Sequence, residues 1–221
     1  DTPLHMPTIR RLVKEICQLR DAGVEVALVS SGAVAAGMGR LGLTERPRVV
    51  AELQAAAAVG QNLLVHTYES LFARRGVAVG QVLLTAGDIL DDRQRYVNVR
   101  NTFRQLFRYG AVPVINENDS VATEELRFGD NDRLSASVAQ LAGADLLILL
   151  SDVEGLFAAD PSTDPDAEHL PWLPAITPEI EAMAGVSRSG LGTGGMATKI
   201  AAARFAAENA CATIIASGQA A

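Results

Sequence analysis

The chain is poor in the residues that would tie it to metal, membrane or nucleic acid. Its two cysteines, Cys17 and Cys211, stand near opposite ends among apolar neighbours, a placement that suits reduced core residues rather than a disulfide. The three histidines, His5, His66 and His169, are isolated, and no Cys or His falls at zinc-ligand spacing, which argues against a structural zinc. No apolar run approaches the roughly 18 residues of a membrane span. The N-terminus also lacks the basic, apolar and small-residue order of a signal peptide, so a cytoplasmic protein without membrane contact is expected. Clustered positive charge is missing too: with a net charge of −7 and a pI near 5.0 there is no basic stripe for a phosphate backbone, and nucleic acid is not an expected partner.

What the chain does have is apolar material in a helix and strand rhythm. Its 221 residues are 48% apolar, enough to bury a substantial core, which excludes disorder. From Pro7 to Ala22 the residues Ile9, Leu12, Val13, Ile16, Cys17 and Leu19 follow helical spacing, with Pro7 near the start and Gly23 where a helix-terminating glycine belongs. The run Val24 to Ser30 then reads as a strand, and it flows into SGAVAAGMGRLG, a small-residue loop with helix-compatible sequence after it.

The unit recurs. A helix is expected within Val49 to Arg75, a strand within Val77 to Leu84, a helix from about Asp91 to Tyr109 and a strand at Ala111 to Ile115. A helix over Asp132 to Ala142 leads to the nearly all-apolar Asp145 to Leu150, which reads as a strand buried on both faces. Thr198 to Ala210 and Cys211 to Ser217 form a last helix and strand. The Pro- and acid-rich stretch from Asp160 to Pro178 reads as a surface excursion, because the alternation resumes after it. Such alternation predicts an α/β fold with parallel strands and helices packed on both faces.

In open parallel sheets, ligands bind beyond the carboxyl ends of strands, and four segments meet that rule. Ser30-Ser31-Gly32-Ala33 offers two hydroxyls, a glycine for close backbone approach and helix N-terminal amides, although a plain capped turn has the same composition. Ile115 to Ala136, INENDSVATEELRFGDNDRLSA, gathers Glu117, Asp119, Glu124, Glu125, Asp130 and Asp132 beside Asn116, Asn118 and Asn131. Burying an unpaired carboxylate costs several kcal/mol, so such crowding belongs at water or around cations. Glu124 and Glu125, beside Arg127, read as a solvated hairpin. Asn116, Asp119, Asn131 and Asp132 lie at a strand end and a helix start, where a ligand's ammonium group meets carboxylates and its acid group meets amides.

Ser151-Asp152-Val153-Glu154-Gly155-Leu156-Phe157 follows the most apolar strand and could hold a nucleotide or merely turn the chain. Ser189 to Lys199, SGLGTGGMATK, contains G-x-G-x-x-G, but no strand precedes it, so the dinucleotide fingerprint fails. It is not a P-loop, since Thr198 precedes Lys199. Four glycines, two threonines and a lysine entering a helix still make an anion cradle.

Taken in order, SSGAVAAG, VGQVLLT, VPVINENDSVAT, FGDNDRLSA, LLSDVEGLFAADP and SGLGTGGMATKIAAA resemble the glutamate 5-kinases of the amino acid kinase family, over essentially the whole chain. The resemblance implies a three-layer αβα sandwich with a mainly parallel central sheet. It implies transfer of the γ-phosphoryl group of ATP, carried with Mg2+, to the side-chain carboxylate of L-glutamate, the first step of proline biosynthesis. Proline is the implied feedback inhibitor, and a homo-oligomer the implied assembly. Position by position, Ser31, Asp119 and Asn131 fall where the family binds glutamate. Ser151, Asp152, Thr193, Gly194, Gly195, Met196, Ala197, Thr198 and Lys199 fall where it binds ATP. Lys199 would neutralise charge on the phosphoryl group in flight, Asp132 would hold the site's lysines in place, and the protein would supply no metal ligands of its own.

Two departures stand beside the likeness. The family pattern begins with a strand carrying a lysine and a Gly-Ser turn, whereas this sequence opens at the following loop, and Ala221 stops before the family's closing strand. The expectation is one amino acid kinase domain over residues 1–221, lacking that first strand and the C-terminal end. Loss of such a lysine would weaken catalysis, so a non-catalytic proline or glutamate sensor of the same fold is an alternative. A kinase for another acceptor, such as acetylglutamate, is a further one; a phosphate-bearing acceptor would call for Arg or Lys near Ser31 and Asp119.

Overall fold

Two parallel sheets with helices against them carry the chain, in a computed structural model that describes residues 4–90, 92–121, 131–159, 161, 163–186 and 195–219. In chain order the elements are α1 (Met6–Asp21), β1 (Leu28–Val29), α2 (Ala33–Leu41), α3 (Val50–Ala73), β2 (Val79–Leu84), α4 (Ala86–Leu90), α5 (Arg93–Arg108), β3 (Val112–Glu117), α6 (Asn131–Ala142), β4 (Leu146–Ser151), α7 (Pro178–Val186), α8 (Met196–Glu208) and β5 (Ala212–Ser217). They fall into two compact units, Asp1–Arg127 and Phe128–Ala221.

In the first unit the strand order is β1-β3-β2, all parallel, with Leu28 opposite Val114 and Val82 opposite Ile115. One face of this sheet is closed by Ile9, Val13, Ile16 and Cys17 of α1 and Leu64, Tyr68 and Phe72 of α3, packed on Val112 and Val114. The predicted helix over Pro7 to Ala22 is α1, and Gly23 ends it at φ 86°. The predicted strand from Val24 is shortened to Leu28–Val29, because the Val24 amide is spent on the Leu19 carbonyl in closing the helix. β3, in contrast, runs two residues past the predicted end, since β2 pairs with it as far as Leu84 opposite Glu117.

The helix expected from about Asp91 is α5. Asp92 caps it, its carboxylate accepting from the amides of Gln94 at 2.8 Å and Arg95 at 3.0 Å. Asp91 lies outside the described residues, and the short α4 was not anticipated. α2 and α3 cross so closely that a Cβ on Gly37 would sit 1.7 Å from the Ala56 carbonyl oxygen, and one on Gly60 1.7 Å from that of Ala33.

In the second unit β4 pairs β5 in parallel, Ile148 opposite Ile214. Leu147 and Leu149 pack on Ala136 and Ala139 of α6 and Ala202 and Ala206 of α8. The strand predicted as buried on both faces is buried on one: Leu146, Ile148 and Leu150 are 44–50% exposed. A strand turns alternate side chains to opposite faces, and among the described residues α6 and α8 cover only one of them. The excursion after Asp160 is not wholly on the surface. An antiparallel bridge joins Phe157 to His169, and Leu170, Leu173 and Ile176 pack on Leu156, Ala184 and Ile200. Cys17 and Cys211 are free and buried, as expected, and burial pushes both thiols up from their ordinary pKa.

Candidate functional site

In the second unit the predicted charged residues meet at the start of α8. Lys199, one of two lysines in the chain, places its ammonium 3.0 and 2.9 Å from the two carboxylate oxygens of Asp132 on α6. The Thr198 hydroxyl lies 2.8 Å from Asp132 Oδ2 and 2.7 Å from the Gly195 carbonyl, two acceptors sharing its one hydrogen. The Lys199 and Asp132 side chains are only 12% and 13% exposed, so water screens the pair little. Gly195, the N-cap residue, makes no side-chain cap bond. The first amides of a helix have no partner inside it, and together with the helix dipole they attract an anion. Gly195, Met196 and Ala197 therefore supply backbone N–H groups at the start of the helix that carries Lys199 in its first turn, while Thr193 and Gly194 lie outside the described residues.

Ser151 ends β4, and its hydroxyl donates to the carboxylate of exposed Asp152 at 3.2 Å. The Gly218 amide, just past β5, donates to the Ser151 carbonyl at 2.7 Å, so both strand ends turn together. Asn131 is the first residue of α6, and its carbonyl accepts from the Ser135 hydroxyl at 2.6 Å.

In the first unit, Ser31 is exposed between β1 and α2, next to Gly32, whose φ of 104° turns the chain into the helix. Asp119 lies half-buried in the turn after β3. The Ser30 amide continues the ladder onto the Ile115 carbonyl at 2.9 Å, so Ser31 and Asp119 leave the sheet at the same carboxyl edge. Asn116 does not follow the strand, as the sequence suggested, but belongs to it: only 4% exposed, it donates from Nδ2 to Gln61 Oε1 at 2.8 Å. Glu124, Glu125, Arg127 and Asp130 lie outside the described residues.

Two features went unseen in the sequence. One is the polar pair on α3, Gln61 and Tyr68, each bonded to a strand end. The other follows β2: Asp88 accepts from the Thr85 amide at 2.8 Å and hydroxyl at 2.7 Å, and from Arg95 at 2.8 Å. Burial pushes the Asp88 carboxyl up, but the Thr85 bonds and Arg95 together outweigh it and hold the group below the ordinary carboxylate range. The signal for both was positional: a Gln and a Tyr in the buried stripe of a helix, and a Thr-x-x-Asp directly after a strand.

The model of the amino acid kinase family matches residues 2–217. The chain belongs to the amino acid kinase family. It is 57% identical over 215 residues to a glutamate 5-kinase of Moorella thermoacetica, covering 97% of this chain and 57% of that protein. It is 50% identical over 216 residues to one of Clostridium acetobutylicum, covering 98% and 80%. The chain spans little more than half the length of several curated relatives it matches. Among solved structures, carbamate kinase from Giardia lamblia bound to AMP-PNP superposes with a TM-score of 0.62 at 17% identity, over 95% of this chain and 83% of that one. Isopentenyl phosphate kinase of T. acidophilum, in its product complex, gives 0.62 at 18%, over 96% and 82%. At such low identity the likeness establishes the fold, the α/β amino acid kinase fold that the sequence resemblance implied.

Proposed function

We propose that the protein transfers the γ-phosphoryl group of ATP to the side-chain carboxylate of L-glutamate, giving glutamyl 5-phosphate and ADP, the first step of proline biosynthesis. The observation that carries this reading is the Lys199, Asp132 and Thr198 cluster at the start of α8. The identity of 50–57% to glutamate 5-kinases supports the choice of acceptor.

In the reaction a glutamate carboxylate oxygen attacks the γ-phosphorus, and the bond from that phosphorus to the β,γ-bridging oxygen breaks. The nucleophile is already an anion and needs no general base, so catalysis is positioning plus charge stabilisation. An ammonium has three N–H donors. Two aimed at Asp132 leave Lys199 one for an oxygen of the phosphoryl group in transfer. Asp132, bonded to both Lys199 and Thr198, holds the cation and does not act as a base.

Ser151, Asp152 and Thr193 to Lys199 bind ATP, whose phosphates meet the first amides of α8. Among the described residues no cluster of three or more His, Cys, Asp or Glu is placed to hold a metal alone. Mg2+ enters with the nucleotide, where it would neutralise phosphate charge. Ser31, Asp119 and Asn131 bind glutamate, with Asp119 facing its ammonium group. The enzyme works in the cytoplasm as a homo-oligomer inhibited by proline; among the described residues no helix is long and apolar enough to cross a membrane.

The test is ADP formation by the full chain with Mg-ATP, comparing glutamate, aspartate and acetylglutamate. Glutamate alone should sustain turnover. Equal rates with acetylglutamate would move the acceptor assignment, and absence of any glutamate-dependent ADP would sink the proposal.

A further inference from the structure

The longest helix of the first unit carries two polar residues in an otherwise apolar stripe. Gln61, Leu64 and Tyr68 of α3 lie on one face, because seven residues complete two turns to within about 20°. Leu64 and Tyr68 are 1% and 3% exposed. Each polar member ends on a different strand. Gln61 Oε1 accepts from Asn116 Nδ2 at 2.8 Å, at the end of β3. The Tyr68 hydroxyl meets Ser30 Oγ at 3.0 Å, at the end of β1.

Those two strand residues are themselves buried, Asn116 to 4% and Ser30 to 9% exposure, and they are close neighbours across the ladder. Ser30 directly precedes Ser31, and Asn116 stands three residues before Asp119. We propose that Gln61 and Tyr68 are positioning residues for the acceptor: from one rigid helix they fix the two strand ends from which the glutamate-binding loops depart. This rests on the reading of Ser31 and Asp119 as acceptor-binding residues.

The Tyr68 and Ser30 hydroxyls share one 3.0 Å bond, in which either is the donor, and Ser30 Oγ also lies 3.4 Å from the Ser31 carbonyl oxygen. Burial raises the phenol pKa more than the Ser30 bond lowers it, so Tyr68 keeps its proton through the neutral range. The far side of the loop is fixed by packing: Gly60, one turn before Leu64, lets α3 press against the Ala33 carbonyl, where a Cβ would fall at 1.7 Å. Ser31 is thus held by α3 from both directions along the chain.

The experiment uses the full chain and compares Tyr68→Phe, Gln61→Leu and Gln61→Glu with the unaltered protein, in steady-state kinetics and thermal melts. Tyr68→Phe keeps the ring and removes one hydrogen bond, and the KM for glutamate should rise about three- to tenfold, with kcat and the KM for ATP within about twofold. Gln61→Leu removes the acceptor of the Asn116 Nδ2 bond and should raise the glutamate KM about tenfold, whereas Gln61→Glu keeps an acceptor oxygen and should recover most of the loss. An unchanged glutamate KM in both Tyr68→Phe and Gln61→Leu overturns the inference. So does a parallel fall of every kinetic parameter with the melting temperature, which a merely structural role would give. If the unaltered protein makes no glutamate-dependent ADP, the acceptor assignment itself fails and the inference with it.

Discussion

The strand ends of the first unit and the start of α8 in the second, both proposed to meet ligands, are held by different forces. Ser30 and Asn116 are fixed by neutral hydrogen bonds to the helix behind them, one shared between the Ser30 and Tyr68 hydroxyls and one from Asn116 to Gln61. Lys199 is fixed by a full opposite charge, the Asp132 carboxylate, with Thr198 as a second donor to it. A neutral bond contributes roughly 0.5–1.5 kcal/mol and adds no field, which suits a place where a polar amino acid must only be located. A poorly hydrated ion pair holds a cation in place and leaves its charge little screened by water at contact range, which would suit a place where charge moves during reaction. On the proposed function, orientation and charge stabilisation fall to separate parts of the chain.

Lys199→Ala tests that division most severely. It should lower kcat by about 10²–10³-fold with the glutamate KM within about threefold, because the lost interaction belongs to the transition state. Steady-state rates decide it, and a retained kcat would remove the charged half of the comparison. Gly60→Ala should act on stability instead. Its Cβ meets backbone rather than a movable side chain, and overpacking of this kind costs about 1–3 kcal/mol, measurable by denaturant unfolding. A normal midpoint would show that the crossing of α2 and α3 can loosen.

Asp119→Ala sharpens the other side. The glutamate KM should rise about tenfold while kcat is largely kept, and equal losses in both would break the separation of binding from chemistry. The smallest expected effect is on Asp88. Its folded pKa is depressed, so its contribution to stability is present above the unfolded carboxylate value and lost as the pH falls below about 4 through the folded one. Asp88→Asn should therefore be slightly less stable than the parent at neutral pH and converge with it in acid. Solvent screens much of this interaction, since the Arg95 partner is 65% exposed. Melts at pH 7 and pH 2.5 would show the convergence.

The elements themselves were legible because they depend on neighbours a few residues away. The apolar spacing from Ile9 to Leu19 identifies α1, and the alternating runs find β2, β3 and β5 to within two residues. The motif likeness also implied that Asp132 holds Lys199, and the two meet at 2.9–3.0 Å. The edges were less legible where hydrogen bonding has two claimants: Val24 could extend a strand or close a helix, and the Leu19 carbonyl decided it.

What the sequence by itself determined is the α/β alternation, the family and the residue types available at the strand ends. Tertiary structure alone decided which face of β4 is covered, that Asn116 sits inside β3, and which side chains meet. Gln61 and Asn116 are 55 residues apart, Ser30 and Tyr68 38. Periodicity reports only the face a residue presents, whereas a buried hydrogen-bond partner is supplied by whatever element the topology packs there. That is why Gln61 and Tyr68 read as ordinary helix residues until α3 is laid against the ends of β1 and β3.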